Sequence, residues 1–216
     1  MIDISAQAES RLSLHQKLIV RRLTEALSCP ELSHAEFSHL LESCGITEHE
    51  VRHQFRSRRD LLLALCRQRA ALMLAPLRPC RNRVEFRQAL LDFGYCFCEA
   101  SLQLQRVAIY RLGIAESTQD REFGSEFFES GPAMVSRALS DFIEAAQTAG
   151  IVESCDSRIL ASHLLALLRG GRQLADMLDR EEACGAVTDT AGEVARIVDL
   201  FCMGLHAEGF HGNSAA

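Results

Sequence analysis

No apolar run in these 216 residues approaches the roughly 20 that a membrane span needs, so no membrane partner is expected. The opening stretch MIDISAQAES has neither a basic flank nor an apolar core; no signal peptide is expected, and the protein is placed in the cytoplasm. No CxxC pair occurs among the nine cysteines, and an odd count in a chain of this length argues against a disulfide framework. Cys29, Cys44, Cys66, Cys80, Cys155, Cys184 and Cys202 are scattered singly. Only Cys96 and Cys98 lie close together, and two residues apart on a helix they diverge by about 200°, the wrong geometry for chelating one metal. They read as reduced thiols acting as small core hydrophobes, with redox sensing as the alternative. A general excess of positive charge is also missing: the formal charge is −6, which argues against a protein that coats nucleic acid. Strand-like alternation is almost absent, and there is neither a low-complexity linker nor an internal repeat.

What is present is ordinary for a globular protein, with 48% hydrophobic and 24% charged residues, enough for one sizeable core or two small domains. The charge is unevenly spread. Residues 1–72 carry 10 Lys+Arg against 9 Asp+Glu, while the rest carry 13 against 20. Within the first part the cations bunch in RHQFRSRR, Arg52 to Arg59, with four arginines, one histidine and no acid.

Helical signals dominate. Leu18, Ile19, Leu23, Ala26 and Leu27 recur at helical spacing and stop before Pro30. SHAE at Ser33–Glu36 predicts a capping box, flanked by Leu32 and Phe37 as a hydrophobic staple, and Gly45 closes the helix it opens. TEHE at Thr47–Glu50 predicts a second box and SRRD at Ser57–Asp60 a third, the last opening a helix that runs towards Pro76. Two short helices joined by a tight Gly-containing turn make a helix-turn-helix.

HEVRH, residues 49–53, matches the H-E-x-x-H pattern of zinc peptidases. A capping Thr47 would draw the Glu50 carboxylate back to the helix start, away from any metal. A third protein ligand is also required, yet between His53 and Val84 there is no Glu and no further His. No metal, cofactor or catalytic activity is therefore expected, and the zinc peptidase stays as a remote alternative. The same helical arithmetic puts Val51 and Phe55 on one face and His49, Arg52, His53 and Arg56 around the opposite one. Such a donor-rich strip suits a major groove.

LLESCGITEHEVRHQFRSRRDLLLAL resembles the DNA-binding signature of the Tet repressor (TetR) family, IA-x-x-AGVS-x-x-T-L-Y-x-HF-x-SK-x-x-L. Leu40 and Leu41 stand for the first pair, Cys44-Gly45-Ile46-Thr47 for AGVS, Val51 for Leu, Phe55 for Phe and Ser57-Arg58 for SK. VAIYRLGIAESTQDREFGSEFFESGP, Val107–Pro132, is similar to the effector-domain pattern of one branch of the family, and VARIVDLFCMGL, Val194–Leu205, to its closing helix. Arg52 replaces the usual Tyr, and Glu48 and Glu50 bring negative charge where phosphates would lie.

The resemblance implies an all-α protein of about nine helices: a helix-turn-helix domain over residues 1–56, a connecting helix over 57–76, and an effector-binding and dimerisation domain over 77–216. It implies a homodimeric repressor of double-stranded operator DNA, released by a small, mostly apolar effector. The DNA-contacting set is then Ser33, His34, Thr47, His49, Arg52, His53, Arg56 and Arg58. Phe93, Tyr95, Tyr110, Phe123, Phe127, Phe128 and Met134 are the expected pocket lining; Tyr95 and Tyr110 are the only tyrosines. Further helices are expected around Phe86–Cys98, Leu104–Ser117, Pro132–Ala149, Asp156–Leu174 and Thr190–Leu205, the last opened by a fourth capping box, TAGE at Thr190–Glu193. Leu160, Leu164 and Leu167 on one of these, and Val194, Ile197, Val198, Phe201 and Leu205 on the next, form the expected dimer seam; His163 is read as a packing residue. A rival reading is an interaction protein that keeps the fold without operator binding.

Overall fold

The computed structural model describes residues 12–170 and 189–205. The N-terminal stretch, Cys184 and positions 171–174 of the expected Asp156–Leu174 helix lie outside the described residues. The described residues form eleven helices and no strand. In chain order they are α1 Leu14–Ala26, α2 Pro30–Ser33, α3 Phe37–Ser43, α4 Glu48–Phe55, α5 Arg58–Leu74, α6 Arg83–Cys98, α7 Ala100–Ser117, α8 Arg121–Ser130, α9 Pro132–Thr148, α10 Ser157–Arg169 and α11 Thr190–Gly204. The sequence signals missed the four-residue α2 and the whole of α8. No described helix is long and apolar enough to cross a membrane.

The helix starts follow local chemistry, with corrections. The Ser33–Glu36 box does not form: Ser33 ends α2 and donates its hydroxyl to the Pro30 carbonyl at 2.8 Å, while Glu36 is the N-cap of α3 without a side-chain hydrogen bond. Pro30, with its fixed φ and no N–H to lose, starts a helical turn there and absorbs Ser33. The last helix is capped by Asp189, which accepts from the Gly192 N–H at 2.7 Å, one residue ahead of the expected Thr190. Thr47 and Ser57 do cap α4 and α5, accepting from the N–H groups of Glu50 and Asp60.

The α3–α4 turn depends on Gly45, whose φ of +64° lets the Ile46 N–H reach back to the Leu41 carbonyl at 2.9 Å. Helix α5 then runs between two apolar cores. Leu61, Leu62, Leu65 and Cys66 pack with Ile19, Leu23, Leu40, Val51 and Phe55 of the N-terminal helices and with Ile109, Phe123 and Phe127. Ala70, Met73 and Leu74 join the second core, made by α6, α9, α10 and α11. One rigid helix therefore touches both clusters.

Helix α6 is apolar on most sides because it is covered by both α10 and α11. A Cβ added at Gly94 would come within 2.6 Å of Val194 Cγ1, so the α6–α11 approach requires glycine. Gly94→Ala is expected to lose about 1–2 kcal/mol, because crowding against a χ1-stiff valine outweighs the roughly 1 kcal/mol of helix propensity gained. Chemical denaturation measures this, and an unchanged midpoint would show that the two helices part without cost.

Candidate nucleic-acid interface and ligand cavity

Helix α4 is held by its apolar face, with Val51 and Phe55 in the first core. Two polar contacts from α1 fix its rotation. The Gln16 amide donates to the Gln54 carbonyl at 2.6 Å, and His15 Nε2 meets Glu50 Oε1 at 2.7 Å. Glu50 thus turns to α1 and does not close the expected capping box. Residues 49, 52, 53 and 56, spaced at one, three, four and seven positions along the helix, leave His49, Arg52, His53 and Arg56 exposed on the other side. Arg56 sits at the C-cap with φ +65°, a conformation that turns the chain sharply into Ser57.

The remaining DNA-side residues are placed less uniformly. Thr47 is exposed beside the turn, and His34 is exposed and contacts Arg111 of α7. Ser33 is buried with its hydroxyl already engaged, so it leaves the exposed set. Arg58 donates to Glu48 Oε1 at 2.7 Å and lies 5.8 Å from the centre of the Phe37 ring. That hydrogen bond pushes its guanidinium pKa up from the usual value. Glu48, expected to weaken phosphate binding at a distance, instead pairs directly with Arg58, a member of the expected DNA-contacting set. Among the described residues no group of three or more His, Cys, Asp and Glu side chains is arranged to hold a metal, His49 and His53 included.

A cavity of about 360 Å³ opens between α5, the end of α6, α7, α8, α9 and the end of α10. Tyr110, Phe127 and Phe128 line it as the sequence suggests, together with Met73, Phe97, Ile114, Val135 and two cations, Arg106 and Arg169. Four expected residues do not line it. Phe123 stands behind Phe127, ring centres 5.8 Å apart, beneath the guanidinium of Arg59. Phe93 is fully buried beside Phe97, and Tyr95 and Met134 pack half-buried against the second core. Helical phase explains the difference: Phe97 lies one turn beyond Phe93, where α6 ends and the cavity begins. Gly113 permits the α7–α8 closure, since any Cβ there would collide with the Phe127 ring.

Arg106 was not legible as a pocket residue because QLQRVAIYRLG reads as an amphipathic helix with its arginines in solvent. In the fold it is 4% exposed, stacks 4.1 Å over Phe97 and donates to the Phe97 carbonyl at 2.8 Å. Burial pushes the Tyr110 hydroxyl up to about 12, so it stays a neutral donor. Helix α5 joins this cavity to the helix-turn-helix: Arg59, two residues past the α5 cap, pairs with Glu116 at 3.4 Å on α7 and with Asp120 at the start of α8.

The model of the C-terminal domain of AefR-like transcriptional repressors matches residues 88–204, more than half of the sequence. The chain belongs to the TetR family of transcriptional regulators. Solved structures share the TetR fold over nearly the whole length. The flavonoid-responsive regulator FrrA is 21% identical, with TM-score 0.57 over 90% of this chain and 98% of that one. A TetR transcriptional regulator from Agrobacterium tumefaciens is 16% identical, with TM-score 0.58 over 89% and 94%. The fatty acid degradation regulator FadR from Bacillus halodurans is 13% identical, with TM-score 0.58 over 91% and 98%. No curated protein gives a significant match.

In this TetR-family chain the last two helices use their apolar residues differently from the expected seam. Leu164, Val194, Val198, Phe201 and Leu205 are buried in the subunit's own second core, while Leu160 and Ile197 are half-buried against it. Each helix carries apolar residues on both sides, and the fold turns the longer stripe inward over α6. Ile159, Leu167, Leu200 and Met203 are the ones left outside, at 52%, 41%, 61% and 71% exposure. His163 lies on the outward side with them and is not a packing residue. The thiols behave as core groups where they are buried: burial pushes Cys66 up to about 12 and Cys202 to about 11, well clear of thiolate chemistry at neutral pH.

Proposed function

We propose that the chain is a homodimeric repressor that binds double-stranded operator DNA through α4 and releases it when a small, mostly apolar effector fills the cavity. The observation that carries this reading is the stripe of His49, Arg52, His53 and Arg56 left exposed on the second helix of a helix-turn-helix whose opposite face is fixed by Val51 and Phe55. Arginine offers bidentate donors to guanine and histidine to bases or phosphates. The DNA-binding unit is residues 1–56, the connecting helix 57–76 and the effector and dimer unit 77–216. Dimerisation uses the outward faces of α10 and α11, where Ile159, Leu167, Leu200 and Met203 remain uncovered. Two fold relatives are named for a flavonoid response and for regulating fatty acid degradation, in keeping with an apolar effector.

Release follows from α5. Occupying the cavity moves α7 and α8 apart, the Arg59 contacts to Glu116 and Asp120 carry that displacement to the start of α5, and the spacing of the two α4 helices in the dimer changes.

The test is fluorescence anisotropy of the purified protein on the DNA upstream of its own gene, across a salt series. Binding that weakens steeply with salt and prefers that fragment over unrelated DNA is the expected result. Absence of any salt-sensitive affinity would replace this reading with that of an interaction protein. Glu48→Gln is expected to strengthen binding by about 0.5–1.5 kcal/mol, because it frees Arg58 for phosphate. The half-exposed pair it removes stabilises the fold by less than about 1 kcal/mol. Unchanged affinity in Glu48→Gln would show that Arg58 does not reach the DNA.

A further inference from the structure

Tyr110 lines the cavity from α7, and its hydroxyl makes no hydrogen bond to any described residue. Among the described residues the buried polar atoms without a partner are Arg69 Nη1 and Gln105 Oε1, so the Tyr110 oxygen keeps its access to the cavity space. Burial pushes its pKa up to about 12 and holds it as a neutral O–H. A phenol in that state has one donor to place. Water can accept from it while the cavity is open, but an occupant that expels the water must supply the acceptor in its turn.

The walls around that hydroxyl are rich in rings. Phe97, Tyr110, Phe127 and Phe128 all line the space, and the inner ones are fixed before anything binds. Phe127 meets the Tyr110 ring edge to face at 6.1 Å, packs on Phe123 at 5.8 Å and lies against Gly113, where no Cβ fits. Phe97 is 4% exposed and carries the Arg106 guanidinium 4.1 Å above one face. Phe128 and Ile114 stand at the mouth, 57% and 51% exposed, where only an occupant would cover them. An aromatic guest gains about two- to twelvefold in affinity for each ring pair it makes, beyond the area it buries. A flexible alkyl chain fills the same space without that gain and loses chain entropy on binding.

Resting on the effector reading above, we infer that the effector is a planar aromatic compound carrying a hydrogen-bond acceptor such as a carbonyl. Its rings lie among Phe97, Phe127 and Phe128, and its acceptor takes the Tyr110 hydroxyl.

The test is equilibrium dialysis of the full-length protein with three ligands of one carbon skeleton, each affinity corrected for water-to-octanol partition. They are 2-acetylnaphthalene, its ring-saturated counterpart 2-acetyldecalin, and 2-ethylnaphthalene, which lacks the carbonyl. The aromatic ketone is expected to bind at least about fivefold tighter than the saturated one, from two ring pairs at the lower end of their range. Tyr110→Phe is expected to weaken 2-acetylnaphthalene at least about threefold and to leave 2-ethylnaphthalene as tight or tighter. Because the hydroxyl bonds nothing in the fold, that variant should melt with the native protein. Should it melt early, the comparison of the two ketones on the native protein decides alone. Equal or tighter binding of the saturated ketone overturns the aromatic class. A ketone affinity unchanged by Tyr110→Phe, or an equal loss for the ketone and 2-ethylnaphthalene, overturns the acceptor. Either result leaves the apolar effector standing, whereas failure of all three ligands and of decan-1-ol overturns both.

Discussion

Glutamate at both Leu200 and Met203 is expected to convert the purified protein from a dimer to a monomer and to abolish operator binding, while the subunit still melts cooperatively within a few degrees of the native protein. Both side chains point away from the subunit core, so introducing charge there removes apolar area only from the proposed interface. Phe201→Glu gives the opposite pattern. Phe201 is 7% exposed and packs in the second core, so the change removes a buried ring, worth about 3–5 kcal/mol in comparable truncations, and adds a charge that has no buried partner. Sedimentation velocity read beside a melting curve separates the outcomes. A native protein that sediments as a monomer at micromolar concentration, or a Leu200/Met203 double variant that remains dimeric, would remove α10 and α11 as the seam.

Arg52→Ala is expected to weaken operator binding by about 1–3 kcal/mol and to relax the preference at one base position. Arg52 lies at the centre of the exposed α4 stripe, flanked by His49 and His53. Arg58→Ala should behave differently, weakening all sequences alike and lowering the salt slope by about one, because a phosphate contact carries no sequence information. Competition binding against single-base variants of the operator, at two salt concentrations, distinguishes them. Equal loss on every base variant for Arg52→Ala would show that α4 does not read the groove through this residue.

The N-terminal half was legible because its determinants are local. The Gly45 turn, the Thr47 and Ser57 caps and the Val51–Phe55 spacing each act within a few residues of chain, and they appear in the fold where the pattern puts them. The local rules failed where a competing contact comes from far away in sequence. Glu50 satisfies the capping-box pattern, yet His15, 35 residues earlier, takes its carboxylate. Ser33 satisfies a box too, and the turn begun by Pro30 removes it. Helix α8 went unread because FGSEFFES interrupts its apolar face with glycine and serine, although the Asp120 cap that starts it, accepting from Glu122 and Phe123, is itself local.

Sequence by itself determined that this chain is helical, that a helix-turn-helix occupies its first third with a basic stripe on the second helix, and that the rest is an apolar helical unit; periodicity and capping are one-dimensional properties. The tertiary structure decided which stripe of each later helix faces inward. Amphipathic spacing marks an apolar face without naming the neighbour that covers it, so Phe201 could not be told from Met203 before α6 was in place. It also decided the electrostatics of the cavity. An arginine in a polar-looking helix has the same sequence signature in water or in a core, and only the packing of α5 against α7 puts Arg69 and Arg106 side by side and buried.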